Sequence, residues 1–168
     1  MTRYSVWLLP SPDAEAAFRA AKTVADAALG GLDFDLHLTV AGAFDIDPAQ
    51  LLAVCRAETG RLRERGDGSV DVAPTCISIG ETYFQSLFVR AEVSDNLRAL
   101  RAALYAAAGD TDPGFEPHIS LYYGTAPRHQ KIALLPDLPS APAPFRSDRF
   151  ALASNARAPT AWDIIEYF

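Results

Sequence analysis

The chain is poor in the residues that build metal and redox centres: two cysteines, three histidines and one methionine in 168 residues. Cys55 and Cys76 are too widely separated for a Cys-x-x-Cys motif, which argues against a zinc knuckle or a thioredoxin-type centre. No stretch approaches the roughly 18 apolar residues of a membrane span, and no charged-then-apolar secretory pattern opens the sequence. The expectation is a protein of the reducing cytoplasm, without a membrane segment and with both thiols free. Basic residues are scarce too. Fifteen Lys and Arg against 21 Asp and Glu leave a net charge of −6, the wrong sign for gripping long nucleic acid, where affinity rests on neutralising phosphates. A small phosphorylated ligand is still compatible with that charge. The densest basic run, Arg56, Arg61, Arg63 and Arg65, is interleaved with Glu58 and Glu64 at helical spacing, and reads as a solvated helix face rather than an RNA-binding patch.

Linkers are also lacking. The proline-rich stretch from Pro136 to Pro144 is short enough to be a surface loop. With 49% hydrophobic residues, residues 1–168 are expected to form one domain with its own core, as a monomer.

What is present is punctuation and periodicity. Tyr4 to Leu9 is an apolar, β-rich run closed by Pro10, and Ser11-Pro12 then offers a cap and a first helical residue. Ala14, Phe18, Ala21, Val24, Ala25 and Leu29 recur at helical spacing until Gly30-Gly31. Leu36 to Ala41 alternates as a half-buried strand, with His37, Thr39 and Ala41 on one face. Asp47-Pro48 starts a second helix that runs to about Arg65. Val70 to Ile79 and Thr82 to Val93 read as a hairpin turning at Gly80-Glu81. Ser94 caps a third helix that stops at Gly109, His118 to Tyr122 is a strand, and Arg128 to Leu134 is a short helix. Phe145 to Ser154 and Trp162 to Phe168 close the order as strands. The pattern predicts an α+β, bilobal fold: two pseudo-twofold-related lobes of mainly antiparallel sheet, with flanking helices and a central cleft.

One phrase occurs twice, Phe34-Asp35-Leu36-His37-Leu38-Thr39-Val40 and Phe115-Glu116-Pro117-His118-Ile119-Ser120-Leu121, with the histidines 81 positions apart (118 − 37). Residues i and i+2 of a strand share a face, so His37 with Thr39 and His118 with Ser120 each set an imidazole beside a hydroxyl. A lone His-x-Ser/Thr is most simply a structural histidine. Two matched copies are not, because core packing gives no reason for polar pairs to recur together. Two imidazoles titrating near neutrality suit one proton acceptor and one proton donor, and two hydroxyls suit the non-bridging oxygens of a phosphodiester. Asp35 and Glu116 read as exposed residues at the start of each strand rather than as partners of the imidazoles, no metal ligand set is completed, and His129 reads as a surface residue.

His37-Leu38-Thr39-Val40 and His118-Ile119-Ser120-Leu121 resemble the signature of the two-histidine phosphoesterase superfamily, a similarly spaced pair of His-x-Thr/Ser-x motifs. Tyr4-Ser5-Val6-Trp7-Leu8-Leu9-Pro10, Tyr83-Phe84-Gln85-Ser86-Leu87-Phe88 and Pro117-His118-Ile119-Ser120-Leu121-Tyr122-Tyr123 are similar to its cyclic phosphodiesterase branch. The resemblance spans nearly the whole chain. It implies hydrolysis of nucleoside 2′,3′-cyclic phosphates to 2′-phosphates, or of ADP-ribose 1″,2″-cyclic phosphate, with no metal and no cofactor. It also implies His37 and His118 as the acid/base pair, and Thr39 and Ser120 as phosphate binders. For the tyrosine that contacts substrate it implies Tyr123, whereas strand alternation from His118 favours Tyr122. Trp7 and Phe84 fit either walls for a nucleobase or core aromatics. The plant members of the branch are richer in cysteine, and Cys55 and Cys76 give no reason to transfer their disulfides. Two other readings compete. One is a 2′-5′ RNA ligase-like enzyme acting on RNA ends, which needs a basic cleft; the other is a non-catalytic module that binds a nucleotide.

Overall fold

The computed structural model describes residues 3–155 and 162–168. Its strands are β1 (Tyr4–Leu8), β2 (Leu38–Phe44), β3 (Val70–Ile79), β4 (Leu87–Val93), β5 (His118–Tyr122), β6 (Phe145–Ser147), β7 (Phe150–Ser154) and β8 (Asp163–Tyr167). Its helices are α1 (Pro12–Leu29), α2 (Pro48–Arg65), α3 (Asp95–Ala108) and α4 (Arg128–Leu134), the last running into a 3₁₀ turn at Leu135–Asp137. Helix boundaries follow the local chemistry. Proline opens α1 and α2, and the left-handed Gly30 and Gly109 close α1 and α3. Asp47 accepts from the Ala49 amide as a side-chain cap. The expected caps Ser11 and Ser94 make no such bond; their carbonyls instead accept from Glu15, and from Leu97 and Arg98.

The sheet order is β6-β3-β4-β5-β2-β1-β7-β8, and every neighbouring pair is antiparallel. The fold is therefore α+β, with four strands on each side of the β5–β2 junction and the unit β4-α3-β5 repeating β1-α1-β2. The two halves join into one sheet at a single register pair, Leu38 with Ile119. Helix α1 packs under β5 and α3 under β2, each crossing beneath the other half's central strand. Phe18, Ala21 and Ala25 of α1 and Leu97, Leu100 and Leu104 of α3 meet Leu38, Val40, Ile119 and Leu121 there, all buried. Each large apolar side chain sealed in that layer contributes about 1.5–3 kcal/mol. One face of the central strands is thus committed to the core, and the other is left to the site.

Three boundaries differ from the pattern in the sequence. Strand β2 begins at Leu38, not Leu36, and register shifts against β1 take Ala41 out of the alternation with His37 and Thr39. Strand β4 begins at Leu87 rather than Thr82 because residues 80–86 fold into a tight loop. The Gly80 amide donates to the Ser86 carbonyl, and a Cβ at Gly80 would sit 1.9 Å from the Gln85 carbonyl oxygen. Residues 145–154 form two strands that go to opposite halves, β6 beside β3 and β7 beside β1. The break is pinned by polar contacts: Ser147 Oγ donates to the Leu9 carbonyl, and Arg149 Nη1 donates to the Pro10 carbonyl and to Glu15.

Cys55 is buried and Cys76 exposed, and both are free. Burial pushes the Cys55 thiol up to about 12. Among the described residues no helix is long and apolar enough to cross a membrane. In the basic run on α2, Arg61 pairs with Glu58 of the same helix as the interleaving suggests, while Arg56 pairs instead with Glu166 of β8.

Candidate active site

The junction pair Leu38–Ile119 sets the geometry of the site. One step to either side, antiparallel register places Thr39 across from His118 and His37 across from Ser120. Because Leu38 and Ile119 face the core, at 1% exposure each, the two imidazoles and two hydroxyls fall on the opposite face. The repeat therefore converges on one spot, with each histidine beside the other motif's hydroxyl.

Both imidazoles are held the same way. Nδ1 of His37 lies 2.7 Å from the Asp35 carbonyl oxygen, and Nδ1 of His118 lies 2.8 Å from that of Glu116. A carbonyl only accepts, so each Nδ1 carries the proton and each Nε2 is left for chemistry. The acids of the repeat thus act through their main-chain carbonyls, while both side chains are exposed. Glu116 also lies 4.0 Å from Arg90.

The environments differ in depth. His37 is 5% exposed, and its ring stacks on Trp7 with centroids 3.8 Å apart and planes 9° apart. Burial is the main reason its pKa is pushed down to about 4; the Asp35 carbonyl opposes the shift and the neighbouring His118 adds to it. His118 is half-buried, with a T-shaped contact to Phe88. Its pKa is lowered by burial and by Arg90, against the Glu116 carbonyl and carboxylate, which raise it.

His37, Thr39 and His118 line a cavity of about 520 Å³ whose walls include Trp7, Phe84, Tyr123 and Trp162. Thr39, His118 and Gln85 also border a second hollow of about 360 Å³, on the side of Phe115 and Glu116. Trp7 is 1% exposed and forms the floor beneath His37, while Phe84, at the tip of the 80–86 loop, is 50% exposed. The Phe84 and Trp162 rings are stacked at 5.8 Å. Ser120 is buried just behind this wall: its Oγ donates to the Phe84 carbonyl at 3.1 Å. Burial pushes the Tyr123 phenol up to about 12, the nearby Ser120 hydroxyl opposing.

Tyr123, not Tyr122, borders the cavity. The reason is a β-bulge: Phe88 pairs with Ser120 but Leu87 with Tyr122, so Leu121 is an extra residue on β5 and the alternation shifts by one beyond it. Tyr122 is buried with its hydroxyl against Gly124. His129 is exposed on α4, away from the site. Gln85, Arg3, Asn155 and Trp162 border the cavity without having stood out in the sequence, since no local spacing links them to either motif.

The repeated phenylalanines also acquire a role. Lys22 of α1, 3% exposed, lies 4.1 Å from the Phe34 ring centroid and donates to Asp26 and the Leu32 carbonyl. Arg101 of α3, 6% exposed, lies 4.6 Å from the Phe115 centroid and donates to Asp112 and to the Val40 and Gly114 carbonyls. In each half a buried cation from the preceding helix clamps the aromatic that leads into the motif. Among the described residues no three His, Cys, Asp or Glu side chains come together as a metal cluster.

The family model for the 2′-5′ RNA ligase superfamily matches residues 10–159. Among solved structures, LigT of E. coli in apo form is 17% identical, over 100% of this chain and 97% of that one, with a TM-score of 0.62. LigT complexed with 3′-AMP is 16% identical, over 99% and 96%, at 0.61. TT0787 of Thermus thermophilus is 23% identical, over 99% and 96%, at 0.60. These likenesses are of fold. No curated protein matches the chain by sequence.

Proposed function

The chain belongs to the 2′-5′ RNA ligase superfamily, and from that membership and the paired imidazoles we propose that it is a cyclic phosphodiesterase working without a metal, 1–168 acting as one domain. The observation that carries the reading is the convergence of His37, Thr39, His118 and Ser120 around the Leu38–Ile119 junction. Small cyclic phosphates are the substrates: a nucleoside 2′,3′-cyclic phosphate, or ADP-ribose 1″,2″-cyclic phosphate. That E. coli LigT is found with 3′-AMP supports a nucleotide in this fold. With −6 net charge and Arg3 as the one Lys or Arg among the described residues lining the cavity, a small ligand fits better than an RNA strand.

For a 2′,3′-cyclic phosphate the steps are these. His37 is neutral, and with Nδ1–H donated to the Asp35 carbonyl its Nε2 takes a proton from water. The water oxygen bonds to phosphorus, the P–O3′ bond breaks, and His118, protonated on Nε2, gives its proton to the departing 3′ oxygen. The product is the 2′-phosphate, and proton exchange with solvent resets both rings. The deeper His37 suits the base and the shallower His118, beside Glu116, suits the acid. Thr39 donates to one non-bridging oxygen, and Ser120 to another once its hydroxyl turns from the Phe84 carbonyl. Phe84 and Trp162 offer stacking surfaces for a base.

Protein treated with a chelator should convert adenosine 2′,3′-cyclic phosphate to 2′-AMP, read by phosphorus NMR. The kcat/KM profile should be bell-shaped. It rises with pH as His37 deprotonates near 4, and falls as His118 loses its proton below the ordinary imidazole value of about 6.5. A bound anion favours both charged rings, so the kcat profile lies at higher pH. No turnover, or turnover only with added metal, overturns the reading. Faster cleavage of an oligonucleotide ending in a cyclic phosphate than of the mononucleotide would favour the RNA-end enzyme instead.

A further inference from the structure

The phosphodiesterase reading uses the imidazole end of the cavity and leaves its other end unassigned. Trp7 and Ser5 of β1, and Arg3 just before it, all border the cavity, while Tyr4 and Val6 between them pack on the core side. At about 3.3 Å per residue, the Cα of Arg3 lies roughly 13 Å up the strand from that of Trp7, whose ring carries His37. Arg3 is exposed. Among the described residues it has no carboxylate partner, although most of the arginines on this acidic chain do have one.

Its surroundings are organised. The Asn155 amide donates to the Arg3 carbonyl at 2.8 Å, tying the end of β7 to β1. Ser5 Oγ donates to Asn155 Oδ1 at 2.5 Å, which leaves the Nδ2 hydrogens of Asn155 as the remaining donors of a side chain that borders the cavity. Of the 21 acidic residues in the chain, none among the described residues lines this cavity. A guanidinium and an amide bordering a cavity that no carboxylate lines match a phosphate oxygen cluster, although the register Tyr4↔Phe44 sets Asp45 across from Arg3, beyond ion-pair distance.

Resting on the phosphodiesterase reading for what occupies the imidazole end, we propose that Arg3 and Asn155 form a second anion subsite, which receives a phosphate carried on the 5′ side of the substrate's sugar. The preferred substrate is then a cyclic phosphate bearing a second phosphate group, not a bare nucleoside cyclic phosphate. One phosphate sits between the imidazoles, the sugar and base lie against Trp162 and Phe84, and the second phosphate meets Arg3.

Calorimetric titration of 2′-AMP and of adenosine 2′,5′-bisphosphate into the wild-type protein, Arg3→Gln and Arg3→Lys tests this directly. These ligands differ only by the 5′-phosphate. The wild type should bind the bisphosphate about tenfold or more tightly than 2′-AMP. That ratio should fall towards one in Arg3→Gln, be partly kept in Arg3→Lys, and shrink as salt is raised. Equal affinities in the wild type, a preference that survives in Arg3→Gln, or no binding of either ligand would overturn the subsite. Turnover of adenosine 2′,3′-cyclic phosphate by the wild type is followed alongside. Its absence with the Arg3-dependent preference intact would refute the hydrolase and leave the subsite standing.

Discussion

Replacing either histidine by alanine should lower kcat/KM by about 10²–10⁴-fold, the usual contribution of one general acid or base. The double variant should lose far less than the product of the two, because base and acid act on one phosphorus in a single step and disabling either leaves the other without its task. The pH profiles should separate the roles. His37→Ala should abolish the limb near pH 4, and His118→Ala the limb below 6.5. Folding needs its own control, since the His37 ring covers Trp7. His37→Gln keeps a donor for the Asp35 carbonyl and should stay folded by circular dichroism while losing activity. Wild-type activity in either alanine variant would remove the histidines from the mechanism.

The second large effect is structural. Arg101→Ala should destabilise the protein by on the order of 3 kcal/mol, read as a lower urea midpoint with an unchanged slope. The substitution strips the Val40 and Gly114 carbonyls and the Asp112 carboxylate of their donors at once, and removes the cation lying over Phe115 and Tyr105. Asp112 is 38% exposed on its side chain, so water recovers part of the loss and the effect stays at the lower end for a broken buried pair. Arg101→Lys should recover only a fraction of the stability, since one ammonium cannot reach three acceptors in different directions. A change below about 0.5 kcal/mol, the range of an ordinary surface substitution, would show that the clamp is not structural.

Much of this molecule can be read from its sequence where the cause is local. Proline at the starts of α1 and α2, Ser94 ahead of α3 and glycine after all three bound these helices within a residue or two, because caps and breakers act over one turn. The repeated His-x-hydroxyl phrase marked the two central strands, since alternation puts both side chains of each pair on one face. What depends on pairing between distant segments was not legible. The bulge at Leu121 that turns Tyr123 towards the cavity exists only against β4. The split of residues 145–154 depends on partners far away in the chain, β3 for one strand and β1 for the other, with Ser147 and Arg149 tied to the β1–α1 connection at the break. Arg3, Asn155 and Trp162 reach the cavity through the β1–β7–β8 ladder, which no spacing in the chain announces. Asp35 and Glu116 show a subtler limit. Reading their carboxylates as exposed agrees with the structure, but their main-chain carbonyls fix both imidazole tautomers, a contribution that side-chain identity does not reveal.

The account stands on one claim, that two imidazoles serve a single phosphate. Nitrogen-15 NMR of the histidine side chains during a titration with 2′-AMP tests it most directly. The account predicts that the Nε2 resonances of His37 and His118 move together with one dissociation constant, both towards the protonated form, while the exposed His129 stays still. Movement of only one of the two, or of each with its own constant, would contradict it.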